Sequence, residues 1–295
     1  MKKREIALGC MRISKLSVDE AEILIKTCID SGVKFFDHAD IYGRRKCEEI
    51  FGEVLKRNPN LRSKMIIQSK CGIRKGFYDF SFDYIINQVK ESIRLLNCGY
   101  LDILLLHRPD ALVDFDELNK AFNYLYDAGL VKSFGGSNMS SWQIELYNSK
   151  LEHKIEYNQV QFSIVHANMI DSGLFVNMNA SEASDRSGGM LEYAMLKGIK
   201  IQAWSPLMAS WSYGTFIDNP KYDKLNEKLE ELVLKYNAPK NAIAVSWILR
   251  HPANIMPIVG TTSAVHLLEM IKGLDITLTK EEWYSLYLSA GHILP

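Results

Sequence analysis

Apolar and polar positions follow a repeating order along the chain. A short, continuously apolar run is followed by a longer stretch in which apolar residues recur every three or four positions, as in "LDILLLH" followed by "FDELNKAFNYLYDAG". Continuous apolar runs are typical of strands buried on both faces, and the longer spacing is typical of amphipathic helices. The pattern therefore predicts alternating strands and helices.

Eight apolar runs fit this description. They are IALGCM, VKFFDHAD, MIIQSK, LDILLLH, VKSFGGSN, YNQVQFS, IKIQAWSPL and IMPIVGT. Alternating units of this kind form a parallel sheet covered by helices, and eight of them predict a closed (β/α)8 TIM barrel, here a single domain over residues 1–295. A doubly wound open sheet is the alternative, but its usual GxGxxG after the first strand is missing.

One segment interrupts the alternation after the sixth predicted strand. Residues 176–189, "VNMNASEASDRSGG", are polar and small, which predicts a long loop. Loops at this position of a barrel are often lids, and a disordered insertion is the alternative interpretation.

Composition and charge narrow the classes of partner. The chain has 35 basic and 35 acidic side chains, so no net field attracts nucleic acid or an anionic membrane. The 5 cysteines form no CxxC pair, which favours a reducing compartment over a disulfide framework or a zinc ribbon. Without a signal-peptide pattern or a run of about 18 apolar residues, we expect a cytoplasmic monomer or homodimer.

In a (β/α)8 barrel the reactive groups lie at the carboxyl ends of the strands. This rule gathers polar residues from six predicted strands at one end of the barrel: Asp37, His38, Asp40, Tyr42, Lys70, His107, Ser137, Asn138, Asn158, Gln159, Trp204 and Ser205.

Four of these residues predict a specific chemistry. A buried ammonium at Lys70 needs an anionic partner, which Asp37 on the adjacent strand supplies. A phenol has an ordinary pKa of about 10, and a neighbouring ammonium lowers it, so Tyr42 could deliver a proton while His107 donates to a carbonyl oxygen. This set predicts carbonyl reduction or alcohol oxidation with a hydride donor. The alternatives are a solvated Lys70, a core His107 and a Tyr42 that only packs.

Six segments resemble the aldo-keto reductase family. They are FFDHADIYG, IIQSKCG, YLDILLLHRPD, GLVKSFGGSNMS, YNQVQFS and IQAWSPL, which occur in register over nearly the whole chain. The segments PIVGTTSAVHLLE and LTKEEWYSL are similar to a bacterial YdhF-type branch of that family.

The resemblance implies roles for individual residues. Tyr42 would donate the proton, Asp37 and Lys70 would tune it, and His107 would orient the carbonyl of a small aldehyde or ketone. The cofactor would be NADP(H), with NAD(H) as the second candidate. Ser137, Asn138 and Gln159 would hold the nicotinamide carboxamide, and Trp204 would stack on the ring. The rest of the cofactor would contact Gly9, Cys10, Met11, Asp37, Ser205, Pro206, Leu207, Gly260, Thr261, Thr262, His266 and Glu269.

The chain also departs from the family pattern. His38 replaces a threonine, and we expect its side chain to point away from Asp37. Gly136 replaces a valine. His266 replaces the arginine that grips the 2′-phosphate of NADP, so we expect NADP(H) to be preferred by a smaller margin than in the family. The family's N-terminal hairpin is expected to be short or absent, and the C-terminal tail short.

Two other functions are compatible with a barrel. A metal-dependent hydrolase could use His38, Asp40, Lys70 and His107, but the usual His-x-His on the first strand and acid on the last are missing. A non-catalytic nicotinamide-binding barrel could serve as a redox-sensing or interaction subunit. The intact set of four polar residues argues against it.

Overall fold

The structure is a computed structural model that describes residues 4–295. Its strands are β1 Ala7–Gly9, β2 Phe35–Asp37, β3 Ile66–Cys71, β4 Ile73–Arg74, β5 Phe77–Tyr78, β6 Leu101–Leu106, β7 Val131–Ser137, β8 Ile155–Gln161, β9 Lys200–Trp204, β10 Met208–Ser210, β11 Gly214–Thr215 and β12 Met256–Val259. Its α-helices are α1 Val18–Asp30, α2 Lys46–Arg57, α3 Phe82–Leu96, α4 Phe115–Asp127, α5 Ser141–Lys150, α6 Asn168–Leu174, α7 Met190–Lys197, α8 Asp223–Tyr236, α9 Lys240–Leu249, α10 Ala264–Ile271 and α11 Lys280–Ser289.

Eight of the strands form a closed barrel. Their order is β1-β12-β9-β8-β7-β6-β3-β2, and the neighbours with a recorded register are parallel. The predicted (β/α)8 TIM barrel is therefore confirmed, and each of its strands lies within the predicted apolar run or within two residues of it. Gly9 pairs with Asp37, and Asp37 pairs with Gln68, so the ends of the first three barrel strands stand side by side.

Two short antiparallel hairpins lie outside the barrel. Strands β4 and β5 form one directly after β3, and β10 and β11 form the other after β9. The apolar pattern did not predict them, because strands of two or three half-exposed residues bury no continuous apolar run.

Side chains define where several helices begin. Ser17 and Glu20 form a capping box at the start of α1, and Ser140 and Gln143 form another at α5. Each box satisfies backbone N–H groups that the first helical turn leaves without partners. The chain after β1 and the chain after β7 thereby enter α1 and α5 at defined residues.

Contacts group the chain into two compact units. The first unit is Ala7–Gln159 with Gly260–Ala264, and its core includes the fully buried Leu8, Phe36 and Leu104. It contains β1 to β7 and most of β8.

The second unit comprises Val160–Val259 with Val265–Pro295, together with residues 4–6. Its core is built around Trp247 and Trp283, whose rings stack with centroids 4.6 Å apart. Each indole N–H donates to the backbone oxygen of the other tryptophan at 3.0 Å. Stacked rings that also satisfy their polar atoms hold α9 against α11.

The predicted loop at 176–189 lies between α6 and α7. It contains one short 3-10 turn, Ser181–Ala183, and local hydrogen bonds in which Asp185 accepts from the backbone of Ser187 and Gly188 at 2.9 and 2.8 Å. The loop prediction is confirmed. Whether it acts as a lid stays a hypothesis.

The termini complete the comparison with the predicted fold. Before β1 the structure describes only residues 4–6, which form no strand, and residues 1–3 lie outside the described part. Helix α10 follows Thr261–Ser263, and α11 comes after it near the C-terminal end. Over residues 4–295, every helix is too short or too polar to span a bilayer.

Candidate active site

A buried ion pair lies at the carboxyl ends of β2 and β3. The ammonium of Lys70 donates to both carboxylate oxygens of Asp37, each at 2.7 Å, and to the backbone oxygen of His38 at 2.8 Å. Both side chains are almost completely buried, with relative exposures of 1% and 3%. Asp37 therefore supplies the anionic partner that a buried ammonium requires, as the sequence predicted.

Tyr42 completes this arrangement. The Lys70 ammonium lies 3.2 Å from the Tyr42 hydroxyl and 4.8 Å from the centre of its ring. Tyr42 begins a short 3-10 segment, Tyr42–Arg45, directly after the loop that leaves β2. The phenol, the ammonium and the carboxylate thus form one chain of polar contacts.

The electrostatics of Tyr42 differ from the sequence-based expectation. Burial raises the pKa of Tyr42 above its ordinary value, Lys70 lowers it by less, and Asp37 raises it further. The expected net lowering is wrong for this state, because the cost of placing a phenolate in a buried site exceeds the attraction of a lysine already neutralised by Asp37. The phenol is therefore held protonated at neutral pH.

Lys70 is held charged. Burial lowers the pKa of Lys70, but the charge of Asp37 and the hydrogen bonds that Asp37 and Tyr42 accept outweigh it, so the net pKa lies above the ordinary value. Lys70 therefore stays an ammonium beside the Tyr42 hydroxyl.

His107 follows the end of β6 and faces Tyr42. The two ring centroids are 6.0 Å apart with an interplanar angle of 84°. Burial, together with the smaller effects of the Lys70 and Arg108 charges, lowers the pKa of His107 to about 2. Its Nδ1 is buried without a hydrogen-bond partner. The imidazole is therefore neutral and carries one N–H to donate.

Two amide side chains surround the carboxylate. Gln68 and Gln159 donate to the same oxygen of Asp37, at 2.5 and 2.9 Å. Ser137 donates from its hydroxyl to the backbone oxygen of Gln159 at 2.9 Å. The structure thus places Gln159 and Ser137 beside Asp37, and Gln159 already directs its amide N–H to that carboxylate.

Asn138 occupies a left-handed backbone position, with a φ of 54°. The next residue, Met139, is held by Asn158, which accepts from its backbone N–H at 3.3 Å and donates to its backbone oxygen at 2.8 Å. A Cβ added at Gly136 would lie 2.1 Å from the Met139 sulfur. The Met139 side chain thus occupies the space that a side chain at position 136 would enter.

The side chains of the histidine and the acid that follow β2 take no part in the ion pair of Asp37 with Lys70. His38 is completely buried with its ring 4.5 Å from Phe51 of α2, and burial lowers its pKa to about 3. Its side chain points away from Asp37, as predicted. Asp40 is buried with one carboxylate oxygen unpartnered, and burial raises its pKa to about 7.

The predicted cofactor residues of the first unit lie at strand ends. Gly9 closes β1, Cys10 is completely buried, and Met11 is 37% exposed. Gly260 accepts a hydrogen bond from the Arg12 guanidinium at 2.8 Å. Thr261 and Thr262 follow and are half-buried. The thiol of Cys10 donates to the backbone oxygen of Leu8 in β1, so Cys10 could contact a ligand only through its own backbone.

The remaining predicted cofactor residues belong to the second unit. Trp204 ends β9 and is half-buried, Ser205 has a left-handed φ of 54°, and Pro206 and Leu207 continue the turn. On α10, His266 is exposed. Glu269 accepts a hydrogen bond from Asn241 at 2.8 Å.

The structure places four further residues at or behind this site that were not predicted from the sequence. They are Gln68, Arg108, Arg45 and Glu48. Gln68 could have been predicted from the sequence, because it lies two residues before Lys70 on the same strand and therefore faces the same side. Glu48 could also have been predicted, as an acid within the buried face of α2.

Glu48 and Arg45 anchor the segment that carries Tyr42. Arg44 and Arg45 have left-handed φ values of 53° and 70°, which L-residues with side chains rarely adopt. Arg45 donates to Glu48 at 3.0 Å and to Ser92 at 3.2 Å. Ser69 of β3 donates to the other oxygen of Glu48 at 2.8 Å. These bonds hold the strained segment against α2, α3 and β3.

Within residues 4–295, no group of three or more His, Cys, Asp and Glu side chains is placed to hold a metal ion. The side chains of His38 and His107 do not converge with Asp40 into such a group. The arrangement gives no support to the hydrolase alternative.

Residues 5–287 match the Aldo/keto reductase family. The chain is 32% identical to the uncharacterized oxidoreductase YcsN of Bacillus subtilis (97% of this chain, 94% of that protein). It is 32% identical to a 6-dehydroglucose reductase of Agrobacterium fabrum (97% and 93%) and 31% identical to the oxidoreductase YdhF of Escherichia coli (98% and 93%).

Solved structures show the same fold. The thermostable aldo-keto reductase Tm1743, crystallised with the inhibitor epalrestat, superposes with a TM-score of 0.76 at 24% identity, covering 96% of this chain and 94% of that one. An aldo-keto reductase of Bombyx mori in complex with NADP gives a TM-score of 0.72 at 21% identity, covering 96% and 88%.

The barrel and the family match together define an oxidoreductase. This chain belongs to the aldo/keto reductase family. The predicted family, its resemblance to a YdhF-type branch and the predicted carbonyl-reducing activity are thereby confirmed.

Proposed function

We propose that this protein reduces an aldehyde or ketone to an alcohol with NADP(H), using Tyr42 as the proton donor and residues 1–295 as one catalytic domain. The observation that carries the proposal is the Lys70 ammonium, which contacts the Asp37 carboxylate at 2.7 Å and the Tyr42 hydroxyl at 3.2 Å. Bound nicotinamide supplies the hydride in such a reaction.

The proton comes from Tyr42 in this mechanism. Its raised pKa keeps the hydroxyl protonated until charge develops on the carbonyl oxygen. As the proton leaves, the Lys70 ammonium stabilises the phenolate that forms, at a distance of 3.2 Å. Asp37 keeps Lys70 charged and in place. The ammonium thus acts on the transition state more than on the resting phenol.

His107 orients the carbonyl. A neutral imidazole with one N–H can donate to a carbonyl oxygen without competing as an acid, and the pKa of about 2 keeps it neutral at every physiological pH. The T-shaped contact with Tyr42, with ring centroids 6.0 Å apart, supports a geometry in which both side chains would donate to one oxygen atom.

The residues at the ends of β7 and β8 suit a nicotinamide carboxamide. Ser137, Asn138 and Gln159 offer a hydroxyl and two amides with both donors and acceptors, and the hydrogen bond from Gln159 to Asp37 ties this group to the ion pair. Trp204 would stack on the nicotinamide ring. We propose that Gly9–Met11, Ser205–Leu207, Gly260–Thr262, His266 and Glu269 contact the rest of the cofactor.

The function is tested by turnover of purified protein with aldehydes, ketones and quinones, using NADPH and NADH and following cofactor absorbance. We expect aldehyde-dependent oxidation of NADPH. Cofactor binding without turnover of any of these substrates would instead favour the non-catalytic alternative.

The preference for NADP(H) depends on the exposed His266. Histidine is mostly neutral above about pH 6.5, whereas arginine is permanently charged. We expect His266→Arg to tighten NADPH binding by about two- to fivefold, the scale of an exposed ion pair, and to leave NADH unchanged. Titrations at about pH 6 and about pH 8 measure this. Equal affinities in wild type and variant would place His266 away from the phosphate.

A further inference from the structure

Arg108 lies at the candidate active site but has no role in the proposed reaction. It follows His107 directly after β6, and its Nη1 donates to the backbone oxygen of His107 at 2.9 Å and to the Ser137 hydroxyl at 3.2 Å. Pro109 follows it and restricts the backbone. The half-buried guanidinium is therefore held across the ends of β6 and β7.

No anion accompanies this cation. Within residues 4–295, Arg108 takes part in no ion pair, whereas the comparably shielded Arg45 and Arg62 pair with Glu48 and Asp102 at 3.0 and 2.9 Å. The two groups that Arg108 contacts are neutral oxygens. A partly desolvated charge is costly unless an opposite charge compensates it.

The geometry leaves one edge of the guanidinium available. A guanidinium has five N–H donors, and both recorded bonds of Arg108 use Nη1. No hydrogen bond recorded within the described chain uses its Nε or Nη2. These two nitrogens form the edge that binds both oxygens of a carboxylate in parallel.

The position of Arg108 relates it to the substrate. Its Nη1 is bonded to the backbone of His107, whose ring faces Tyr42. The Asp37 carboxylate is already matched by Lys70, so it does not neutralise Arg108. A positive group without an anion thus stands beside the residues that would hold the carbonyl.

We propose that Arg108 binds a carboxylate on the substrate, so that the enzyme prefers carbonyl compounds that carry an acid group over neutral compounds of the same shape. The proposal rests on the proposed carbonyl reduction. Nη1 fixes the side chain to His107 and Ser137, and the Nε–Nη2 edge receives the two carboxylate oxygens.

The test uses two substrates that differ in charge but hardly in shape, 4-formylbenzoate and 4-formylbenzamide, with the full chain and NADPH. We expect kcat/KM for the benzoate to exceed that for the benzamide by about tenfold or more, as a charge-assisted hydrogen bond provides. In Arg108→Gln this ratio should fall to about one, through KM for the benzoate. For Arg108→Lys this ratio should lie between those of wild type and Arg108→Gln, because lysine keeps the charge but cannot donate two parallel hydrogen bonds to a carboxylate.

Arg74→Gln is the matched control, since Arg74 is an arginine of the same unit that is paired with Asp79 at 2.7 Å. It should leave the ratio unchanged. A second readout needs no turnover of the charged substrate: benzoate should inhibit reduction of 4-formylbenzamide more strongly than benzamide does in wild type, and equally in Arg108→Gln.

A wild-type ratio near one overturns the inference without any variant. So does an Arg108→Gln variant that lowers kcat/KM equally for both aldehydes, which would show that Arg108 only positions His107, Ser137 or the cofactor. In both cases carbonyl reduction itself stands. If neither aldehyde nor any other carbonyl is reduced, the proposed function fails, and calorimetric binding of benzoate to wild type and Arg108→Gln with NADPH still decides the carboxylate site.

Discussion

The segment at residues 35–43 contributes acids to two regions, one on each side of β2. On the inner side, Asp37 accepts from Lys70, Gln68 and Gln159 and is linked to the Tyr42 hydroxyl. On the outer side, Asp40 is also buried, but one of its oxygens has no partner.

The outer region has a second ion pair of its own. Glu48 pairs with Arg45 at 3.0 Å, and burial raises the pKa of Glu48 despite its bonds to Ser69 and Arg45. This pair holds the backbone segment Tyr42–Arg45, whereas Asp37 and Lys70 hold the hydroxyl of Tyr42.

The difference teaches that burial of a charged pair does not by itself mark a catalytic group. Both regions contain a buried carboxylate and a cation at hydrogen-bond distance. Only the inner pair also contacts a titratable hydroxyl that lies beside a second donor, His107. The assignment of function follows from this third contact.

The largest expected effect comes from breaking the inner pair. Lys70→Met leaves Asp37 buried and without its cation, which costs about 3–5 kcal/mol of unfolding free energy. Activity should fall as well, since the Tyr42 phenolate loses its stabilising charge. Denaturant unfolding and kcat measure the two losses.

A double-mutant cycle with Asp37→Asn sharpens this prediction. The single and double variants should be non-additive by about 1–3 kcal/mol in stability, because the two side chains share one interaction. Additive losses would contradict the contact of 2.7 Å.

A smaller effect, confined to activity, is expected at Tyr42. Tyr42→Phe keeps the ring and removes only the hydroxyl, so carbonyl reduction should fall by about a hundredfold or more, the scale of a general acid. NADPH binding and the unfolding free energy should change little. The exposed Tyr126, changed to Phe, is the matched control and should retain full activity. Near-normal turnover of Tyr42→Phe would remove Tyr42 from the reaction.

The smallest effect is expected at the outer acid and depends on pH. Burial in the folded state raises the pKa of Asp40 to about 7. The charge of Arg45 lowers this pKa, and the charge of Glu48 raises it. The folded state therefore holds this proton more tightly than the unfolded chain does. The resulting stability is fully present below about pH 4 and is lost as the pH rises through about 7.

Asp40→Asn should remove this part of the decline in unfolding free energy between about pH 4 and about pH 7, as measured by denaturant unfolding across that range. Asp127→Asn, which changes an exposed acid at the end of α4, should leave the slope as in wild type. An unchanged slope in Asp40→Asn would contradict the raised pKa of Asp40.

The sequence by itself determined the barrel and most of its reactive end. Continuous apolar runs indicate buried strands, a spacing of three to four residues indicates the buried face of a helix, and eight strand–helix units have one common closed arrangement. Because parallel strands end at one rim, Asp37, Lys70 and His107 could be brought together without coordinates. The pairing of Asp37 with Lys70 followed from the cost of burying either charge alone.

Only the tertiary structure decided that Asp40 is buried with an unpartnered oxygen, and in which direction the pKa of Tyr42 moves. Both outcomes depend on the balance between burial and distances of about 3 Å, which spacing along the chain does not contain. The same holds for Arg108 and for the pair Arg45–Glu48, whose partners lie on other elements. The sequence pattern indicates on which face of an element a residue lies, whereas its protonation state depends on all the groups that surround it in the fold.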